Sequence, residues 1–379
     1  MKIRVNGEDF VGYERAQASR HFLDICGNFS FTASPLRLNT QDFPIRVQDS
    51  CEILIEDKTF ITGFIETIDV TSDAKNVNVT ISGRDRTCDL VDSSIDNNFI
   101  SQFSGKSTLQ DICEKALEVL NIPNIDVIDT VKLPTLPQGT YVLPFVGEMA
   151  FEFLQRYAKL SQVYLNTDGL GNLLIVRSAN ANGNGVLLPT ILINQFEGKN
   201  NNVISAHYHI STVHQYNLYR DYSQLSATNV EGGVESVGGA PVGVAGQVID
   251  PTIRTGRQWV FIDDIPVDAQ KAEQRAIWEL NYRRGKSQFY EVTVQSHTYD
   301  GVNIWQPNVL VEVYDDFAGL NGLILLIDSV TFYESVDEGK TTVLNCVDPL
   351  AYTLQTKKDF YQAQADTGST KYFDNAEIS

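Results

Sequence analysis

The sequence has 379 residues, of which 42% are hydrophobic and 10% aromatic, and this is the composition of a globular protein long enough for two or three domains. Its formal net charge of −19 argues against a DNA-recognition protein, because contacts to phosphate need Lys and Arg. No apolar run reaches the roughly 18 residues of a membrane span, so we expect no membrane insertion.

Residues 1–97 are predicted to be mainly β. Apolar and polar residues alternate at Ile3/Val5, Ile53/Ile55 and Val77/Val79/Ile81, which is the period of a half-buried strand. Polar turns separate the runs, and several short strands at this spacing favour a β-barrel. The first residues lack the apolar core of a signal peptide, which predicts synthesis in a cytoplasm.

Residues 98–180 predict a small α+β domain. Ser107–Gln110 has the form of a capping box before a first helix, and a second helix is expected over Glu148–Leu160. The segment after it, 162–176, predicts a hairpin around Asp168 and Gly169.

Residues 181–286 predict a connecting region. It contains a glycine-rich loop at 231–246 and a third helix at 268–284, with Gly285 in the position of a C-cap glycine. Glycines without the Gly-Lys-Ser/Thr context of a phosphate loop do not predict nucleotide binding. The role of this loop is left open by the sequence.

Residues 287–350 predict a second β-barrel, because the strand pattern of the first one returns there. In both copies an apolar strand precedes a long strand, a polar turn, an alternating strand and an Asp-bearing turn, and Ile65–Val70 is predicted to be equivalent to Ile327–Phe332. A repeat of this length indicates a duplicated domain. The first barrel is expected to be completed by strands from 187–220 and the second by strands from 203–265. Residues 351–379 are expected to be flexible or docked on a partner.

Chemistry-bearing motifs are few. His207, His209 and His214 form a histidine cluster, but no Cys, Asp or Glu lies between Ala206 and Tyr219 to complete a metal site. The five cysteines are far apart and predict buried free thiols. No Gly-x-Ser-x-Gly motif or other catalytic context occurs, so we expect no enzyme activity, no catalytic residue, no metal and no cofactor.

The segment Ser82–Ser94 is predicted to close the first barrel. Gly83 can take a positive φ where the strand ends, and Arg84 can pair with Asp85 across the turn. Leu90 and Val91 follow and can plug the end of the barrel. The predicted closure residues of the two units are Gly83, Arg84, Asp85, Asp89, Asp92 and Asp348.

This segment also carries a family resemblance. The block Gly83–Thr87 followed by Asp89–Asp92, after a Gly-x-Ile-Glu strand, resembles the baseplate hub proteins of contractile-tailed bacteriophages, of the phage Mu-like class related to the T4-type hub. Pattern-level similarity continues through the α+β unit to the Asn-Cys-Val-Asp-Pro-Leu sequence at 345–350, so it covers about nine-tenths of the chain.

The resemblance implies a homotrimeric ring at the tail axis, in which each chain supplies two tube-like barrels and three chains imitate a hexamer. Such a hub adapts the six-fold tail tube to the three-fold spike and contacts neighbouring baseplate proteins, and DNA passes through it without specific binding. The expected location is the virion, after synthesis in the host cytoplasm. A contractile bacteriocin is an equally valid setting, and the spike and tube partners are not identified by the sequence.

The alternative function is a carbohydrate-binding or glycan-cleaving tail or envelope protein. That alternative predicts an exposed aromatic groove with paired carboxylates. The hub function predicts a trimer whose channel is lined by acidic or neutral residues, since a wall of that kind lowers the adhesion of DNA.

Overall fold

The computed structural model describes residues 1–10, 12–33, 45–73, 77–96, 107–136, 142, 144–179, 186–198, 200–224, 242–263 and 269–353. The described chain is mainly β, as predicted. Its strands are β1 (Lys2–Val5), β2 (Glu8–Phe10), β3 (Arg15–His21), β4 (Asn28–Ala33), β5 (Ser50–Ile55), β6 (Lys58–Ser72), β7 (Val77–Asp85), β8 (Val127–Asp129), β9 (Tyr164–Thr167), β10 (Leu173–Val176), β11 (Leu187–Asn194), β12 (Val203–Ile210), β13 (Leu218–Gln224), β14 (Val242–Ile249), β15 (Gln258–Asp263), β16 (Gln288–Gln295), β17 (Leu310–Asp315), β18 (Leu320–Ser335) and β19 (Gly339–Val347). Its helices are α1 (Cys88–Asp92), α2 (Leu109–Leu120), α3 (Ala150–Leu160), α4 (Ala269–Ser287) and a 3-10 helix at Pro349–Tyr352. Among these helices, none is long and apolar enough to cross a bilayer.

One 13-stranded sheet organises the molecule. Its main path is β12-β16-β19-β18-β3-β4-β7-β6-β5-β1-β2, and β11 joins it through β17, which pairs with β18. The N-terminal and C-terminal β regions therefore share a sheet, and they meet where β18 pairs with β3 through seven residue pairs. The inward side chains of both regions form one continuous hydrophobic core.

The sheet consists of two units with the same strand order. The first unit runs β5-β6-β7-β4-β3 and the second runs β17-β18-β19-β16-β12, and every neighbouring pair is antiparallel. The sixth strand differs, because β1 pairs with β5 antiparallel whereas β11 pairs with β17 parallel. The strand order thus repeats over five strands.

The two units also share the positions of their bulges. The pairing of β6 with β7 slips after Ile65, and that of β18 with β19 slips after Ile327. The pairing of β5 with β6 slips after Ile53, and that of β17 with β18 slips after Val313. A bulge inserts one residue and bends its strand, so a bulge shared at the same place gives the two units the same local geometry.

These bulges set a residue-by-residue correspondence. Gly83 lies opposite Ile65, and Cys346 lies opposite Ile327, so Gly83 corresponds to Cys346. Two residues further along, Asp85 corresponds to Asp348. The long strands that the sequence predicted to be equivalent therefore correspond from the same slip point onward.

Two predicted domain boundaries differ from the structure. Strands from 187–220 were expected to complete the first unit, but β11 and β12 pair with β17 and β16 of the second unit. Strands from 203–265 were expected in the second unit, and only β12 lies there. The strands β13, β14 and β15 instead form a three-stranded sheet of their own that packs on α4. Of the predicted tail at 351–379, residues 354–379 lie outside the described residues.

The β13–β15 sheet packs on α4 through a close approach of backbone to helix. A Cβ on Gly246 of β14 would lie 2.1 Å from backbone atoms of Ala272 and Glu273 in α4. Only a glycine allows this contact. The predicted glycine-rich loop therefore ends in a strand that packs on α4, whereas its residues 231–241 lie outside the described part of the chain.

The predicted α+β unit is present. Helices α2 and α3 pack on β8, β10 and β9 around a second hydrophobic core. The cap of α2 is Thr108, whose hydroxyl accepts from the backbone N–H of Asp111 at 3.1 Å, so the capping box lies one residue later than predicted. The hairpin turn is held by Asp168, whose carboxylate accepts from the Leu170 N–H at 2.7 Å.

Helix α4 continues to Ser287, so Gly285 is inside the helix and is not its C-cap. A Cβ at Gly285 would lie 2.0 Å from the Cβ of Ala351 in the 3-10 helix. The glycine is therefore required by helix packing and not by a turn.

Candidate functional site: the closures of the two units

Gly83 lies in β7 at a point where two backbones come close. A Cβ there would lie 2.0 Å from the carbonyl oxygen of Phe64 and 2.7 Å from the ring of Phe29. Gly83 has an ordinary backbone conformation, so the predicted positive φ is wrong. The glycine is needed for space.

Arg84 pairs with two carboxylates, and neither is the predicted Asp85. Its Nε and Nη2 donate to the two oxygens of Glu66 at 2.7 Å each, and Nη1 donates to Asp92 at 3.3 Å. These hydrogen bonds, to Glu66 first, raise the pKa of the Arg84 guanidinium. Because Glu66 is the bulged residue of β6, Arg84 fixes the bulge to the end of α1.

Among the described residues, Glu66, Cys88 and Asp92 around Arg84 form a group with the geometry of a metal site. Oxygens of Glu66 and Asp92 and the sulfur of Cys88 lie within 4.8 Å of one another. The guanidinium of Arg84 already pairs with both carboxylates, so a cation of the protein holds this place. Burial raises the pKa of the Cys88 thiol, which opposes its use as a thiolate ligand.

Asp85 is buried at the joint between the first unit and the α+β unit. Its carboxylate accepts from the Thr167 hydroxyl at 2.9 Å, and its backbone N–H donates to the carbonyl of Gly27 at 2.8 Å. Burial raises the pKa of Asp85 to about 6, against the opposing effect of the Thr167 hydrogen bond and the Arg20 charge. Asp85 therefore links the first β unit to the α+β unit through hydrogen bonds.

Arg20 is the cation on the other side of this joint. It is buried, donates to the carbonyl of Thr167 and to Gln306 at 3.1 Å, and lies over the ring of Phe60 at 5.3 Å. Burial lowers the pKa of Arg20 despite the nearby Asp85. Arg20 thus ties β3, the α+β hairpin and the segment before β17 together.

The remaining predicted residues of the first closure lie on α1. Asp89 is half-buried, and burial followed by the charge of Asp92 raises its pKa. Leu90 is fully buried, but it packs in the core of the α+β unit, with Val91 beside it, and does not plug the first unit. Helix α1 is therefore an anchor for the α+β unit.

The second closure is built around Asp348. Its carboxylate accepts from the backbone N–H of Leu350 at 2.8 Å and caps the 3-10 helix. In the first unit Asp85 likewise lies before a short helix, α1. The structure therefore brings Asp85 and Asp348 to matching ends of the two units, but it does not bring them together.

Sequence reasoning missed a polar cluster at the second closure. Asp328, the bulged residue of β18, is buried and accepts from the Tyr352 hydroxyl at 2.7 Å and from His21 at 3.0 Å. Burial opposes a charge on His21, but its hydrogen bond to Asp328 and the charge of Asp328 outweigh that effect and raise the pKa of His21. The signal that could have found it is the match of Asp328 with Glu66 in the repeat.

A cleft of about 360 Å³ opens between α3 and α4. Its aromatic wall is a stack in which the rings of Trp278 and Tyr282 lie 5.0 Å apart at 10°. Arg275 lies over Trp278 at 4.8 Å, and Lys286 lies over Tyr282 at 5.7 Å. Each ring of the stack therefore has both an aromatic neighbour and a cation near it.

The predicted histidine cluster does not converge on a metal site within the described residues. His207 and His209 lie on β12 with ring centroids 6.1 Å apart, and both pack against Phe289. The five cysteines are free thiols, and Cys26 is the one that is only half-buried.

Comparisons with known proteins agree with this architecture. Residues 1–85 match the family model of the Mu phage baseplate assembly protein GpP-like, N-terminal. The chain is 20% identical over 365 residues to the baseplate hub protein gp44 of Escherichia phage Mu, covering 94% of this chain and 90% of that protein.

Solved structures of tail proteins have the same fold. The 43 kDa tail protein of prophage MuSo2 from Shewanella oneidensis is 26% identical with a TM-score of 0.74, and 93% of this chain and 98% of that chain are covered. The tail protein from Neisseria meningitidis MC58 is 19% identical with a TM-score of 0.75 over the same shares. The resemblance found in the sequence is therefore confirmed, and the chain is a homologue of the Mu-like baseplate hub and tail proteins of bacteriophages.

Proposed function

We propose that this baseplate hub protein forms a homotrimeric ring that adapts a six-fold tail tube to a three-fold spike and surrounds the DNA channel. The observation that carries the proposal is the pair of units with matched strand order and bulges, joined edge to edge in one sheet. Three such chains present six similar walls around an axis, so each unit serves as a tube-like barrel domain.

The wall that faces the DNA in this proposal is the outer, polar face of the joined sheet. Next to the junction its half-exposed positions carry hydroxyl and amide side chains, including Gln17, Ser19, Ser30, Ser82 and Thr331. Such groups offer DNA no fixed positive charge, and the net charge of −19 adds to the repulsion.

A cation on this face supports the same proposal. Arg84 lies on the outer side of β7, but Glu66 and Asp92 hold its guanidinium. The pairing neutralises the positive charge that would otherwise attract phosphate. DNA would therefore pass this part of the wall without being held.

A structural role is supported over carbohydrate binding by the cleft between α3 and α4. Sugars stack on the free faces of aromatic rings, whereas Trp278 and Tyr282 stack on each other and each has a cation near it. Catalysis is not part of the proposed function. The partners in this proposal are tube, spike and neighbouring baseplate proteins in the virion.

The test is the mass and shape of the assembled protein. Light scattering at micromolar concentration, alone and with co-expressed tube and spike proteins, should give a three-copy species, and electron microscopy should show a ring with an open channel. A chain that stays monomeric alone and also joins no ring with its partners would overturn the proposal, as would a channel lined mainly by Lys and Arg.

A further inference from the structure

The junction inside the chain shows how two of these units join. Strand β3 has both edges occupied: one pairs with β4 of its own unit, and the other pairs with the end of β18 from the second unit. That end of β18, Ser329–Ser335, extends beyond the part of the strand paired with β17. The junction therefore needs one strand with a free edge and one long strand with an overhang.

The same two elements occur again, but each has one edge that no described strand pairs with. Strand β12 corresponds to β3, and among the described strands it pairs with β16 only. Strand β6 corresponds to β18, and its overhang Thr67–Ser72 pairs with β7, whereas β5 ends opposite Phe64. Neither open edge can be satisfied by the other within one chain, because the two lie at the far sides of the junction.

Burial supports the correspondence at the overhangs. Phe332 and Val330 of β18 are fully buried in the junction inside the chain. Their counterparts on β6 are Val70, which is 56% exposed, and Ile68, which is half-buried. The β6 overhang thus carries apolar side chains at the positions that a junction covers, and within the described part of the chain these side chains are more exposed than their counterparts on β18.

The edge strands show the same difference. In β3 the inward positions Ala18 and Arg20 are buried. Their counterparts on β12 are Tyr208, which is half-buried, and Ile210, which is 52% exposed. An open edge with exposed apolar residues invites pairing with another strand.

We infer that β12 of one copy pairs antiparallel with the β6 overhang, Thr67–Ser72, of a second copy. The register of β18 on β3 transfers directly, since Phe332 lies opposite Ala18 there. It places Val70 of one copy opposite Tyr208 of the next. The contact uses different surfaces on the two copies, so repeating it gives a ring if the rotation between copies closes and a filament if it does not. That it closes into a ring of three copies rests on the proposed function.

The same register places a polar pair, a carboxylate and an imidazole, on the polar face. Asp69 corresponds to Thr331 and His209 corresponds to Ser19, which are cross-strand partners in the junction inside the chain. Asp69 of one copy therefore lies beside His209 of the next. A carboxylate directly across from an imidazole can accept a hydrogen bond from its N–H, which favours this register.

The first experiment is a disulfide between copies in the full-length protein with its co-expressed tail partners. Directly opposite residues have Cβ atoms about 4.5–5.5 Å apart, close to what a disulfide needs. The double variant Val70→Cys/Tyr208→Cys should form covalent multimers up to a closed ring under oxidation. Each single variant and the pair Val336→Cys/Tyr208→Cys, which joins an exposed turn to the same strand, should stay as single chains on a denaturing gel.

The outcomes separate this inference from the proposed function. Three-copy particles without the Val70–Tyr208 cross-link would overturn the interface and leave the proposed ring intact. A protein that stays monomeric in solution and forms no cross-link, both alone and with its partners, would overturn both.

A second experiment tests the register by charge. Asp69→Lys should weaken assembly because a lysine ammonium cannot accept a hydrogen bond from the His209 imidazole, and Asp69→Lys/His209→Asp should restore assembly by placing a carboxylate opposite the ammonium. The matched control Asp126→Lys, on the α+β unit, should assemble like the unchanged protein. Failure of the double exchange to restore any of the lost assembly would contradict the placement of Asp69 beside His209.

Discussion

Gly83→Ala tests whether the first closure depends on the approach of two backbones. The added Cβ would lie 2.0 Å from the Phe64 carbonyl oxygen, whereas a carbon and an oxygen in contact need more than 3 Å. Strand β7 must therefore move by about 1 Å, which lengthens the hydrogen bonds on both sides of Gly83 beyond a useful distance. At about 1 kcal/mol for each bond, with added strain, the free energy of unfolding should fall by about 2–4 kcal/mol.

The measurement is a urea titration of the purified full-length protein followed by circular dichroism. Ser82→Ala is the matched control, since it places the same side chain one residue earlier on the half-exposed face, and its effect should be within about 0.5 kcal/mol. If Gly83→Ala is as stable as Ser82→Ala, the close approach described for Gly83 is wrong. The repeated strand pattern does not itself require a glycine here, because the corresponding residue of the second unit, Cys346, has a side chain. The variant therefore tests the local close approach at Gly83.

Three further outcomes follow from the polar clusters and the wall. Tyr352→Phe removes the hydroxyl that donates to the buried Asp328 at 2.7 Å, so it should cost about 1.5–3 kcal/mol by the same titration, and a cost below 0.5 kcal/mol would contradict a structural role for that bond. The pKa of His21 is raised in the folded protein, so the stability that His21 contributes is complete below its unfolded pKa of about 6.5 and is lost as pH rises through its higher folded pKa. His21→Gln should therefore lower the free energy of unfolding more at about pH 5.5 than at about pH 8.5. An equal effect at both pH values would refute the charge pairing of His21 with Asp328. Ser19→Lys/Thr331→Lys adds two cations to the proposed channel wall, and the assembled protein should gain salt-sensitive DNA retention in a mobility-shift assay; unchanged mobility would argue that this face is not the wall.

The repeat of strands could be predicted from the sequence because alternation reports which side of a strand is buried. The correspondence of Ile65 with Ile327 follows from that pattern and holds in the structure through the shared slip points. Pairing partners could not be predicted in the same way. The alternation along β11 and β12 does not say which strand lies beside them. Strand β11, expected in the first unit, pairs with β17 of the second, and β12, which fell in both expected ranges, also lies in the second unit.

The partners of the predicted closure residues differ from those that the sequence suggested. Arg84 was expected to pair with its neighbour Asp85, and it pairs instead with Glu66 and Asp92. Successive residues of a strand point to opposite faces, so Arg84 lies on the outer face and Asp85 points into the joint. Asp328 was missed because its partners, His21 and Tyr352, come from the two far ends of the described chain.

The pairing of β3 with β18 has a consequence for how the chain is made. About 300 residues separate the two strands, so β3 leaves the ribosome long before its partner exists. During that interval the nascent chain presents a ready-made strand edge, to which another chain could add. If the chain forms the proposed ring, pairing of this edge with a second copy competes with its pairing to β18 of the same copy. Synthesis order thereby becomes a determinant of correct assembly, in addition to the stability of the finished fold.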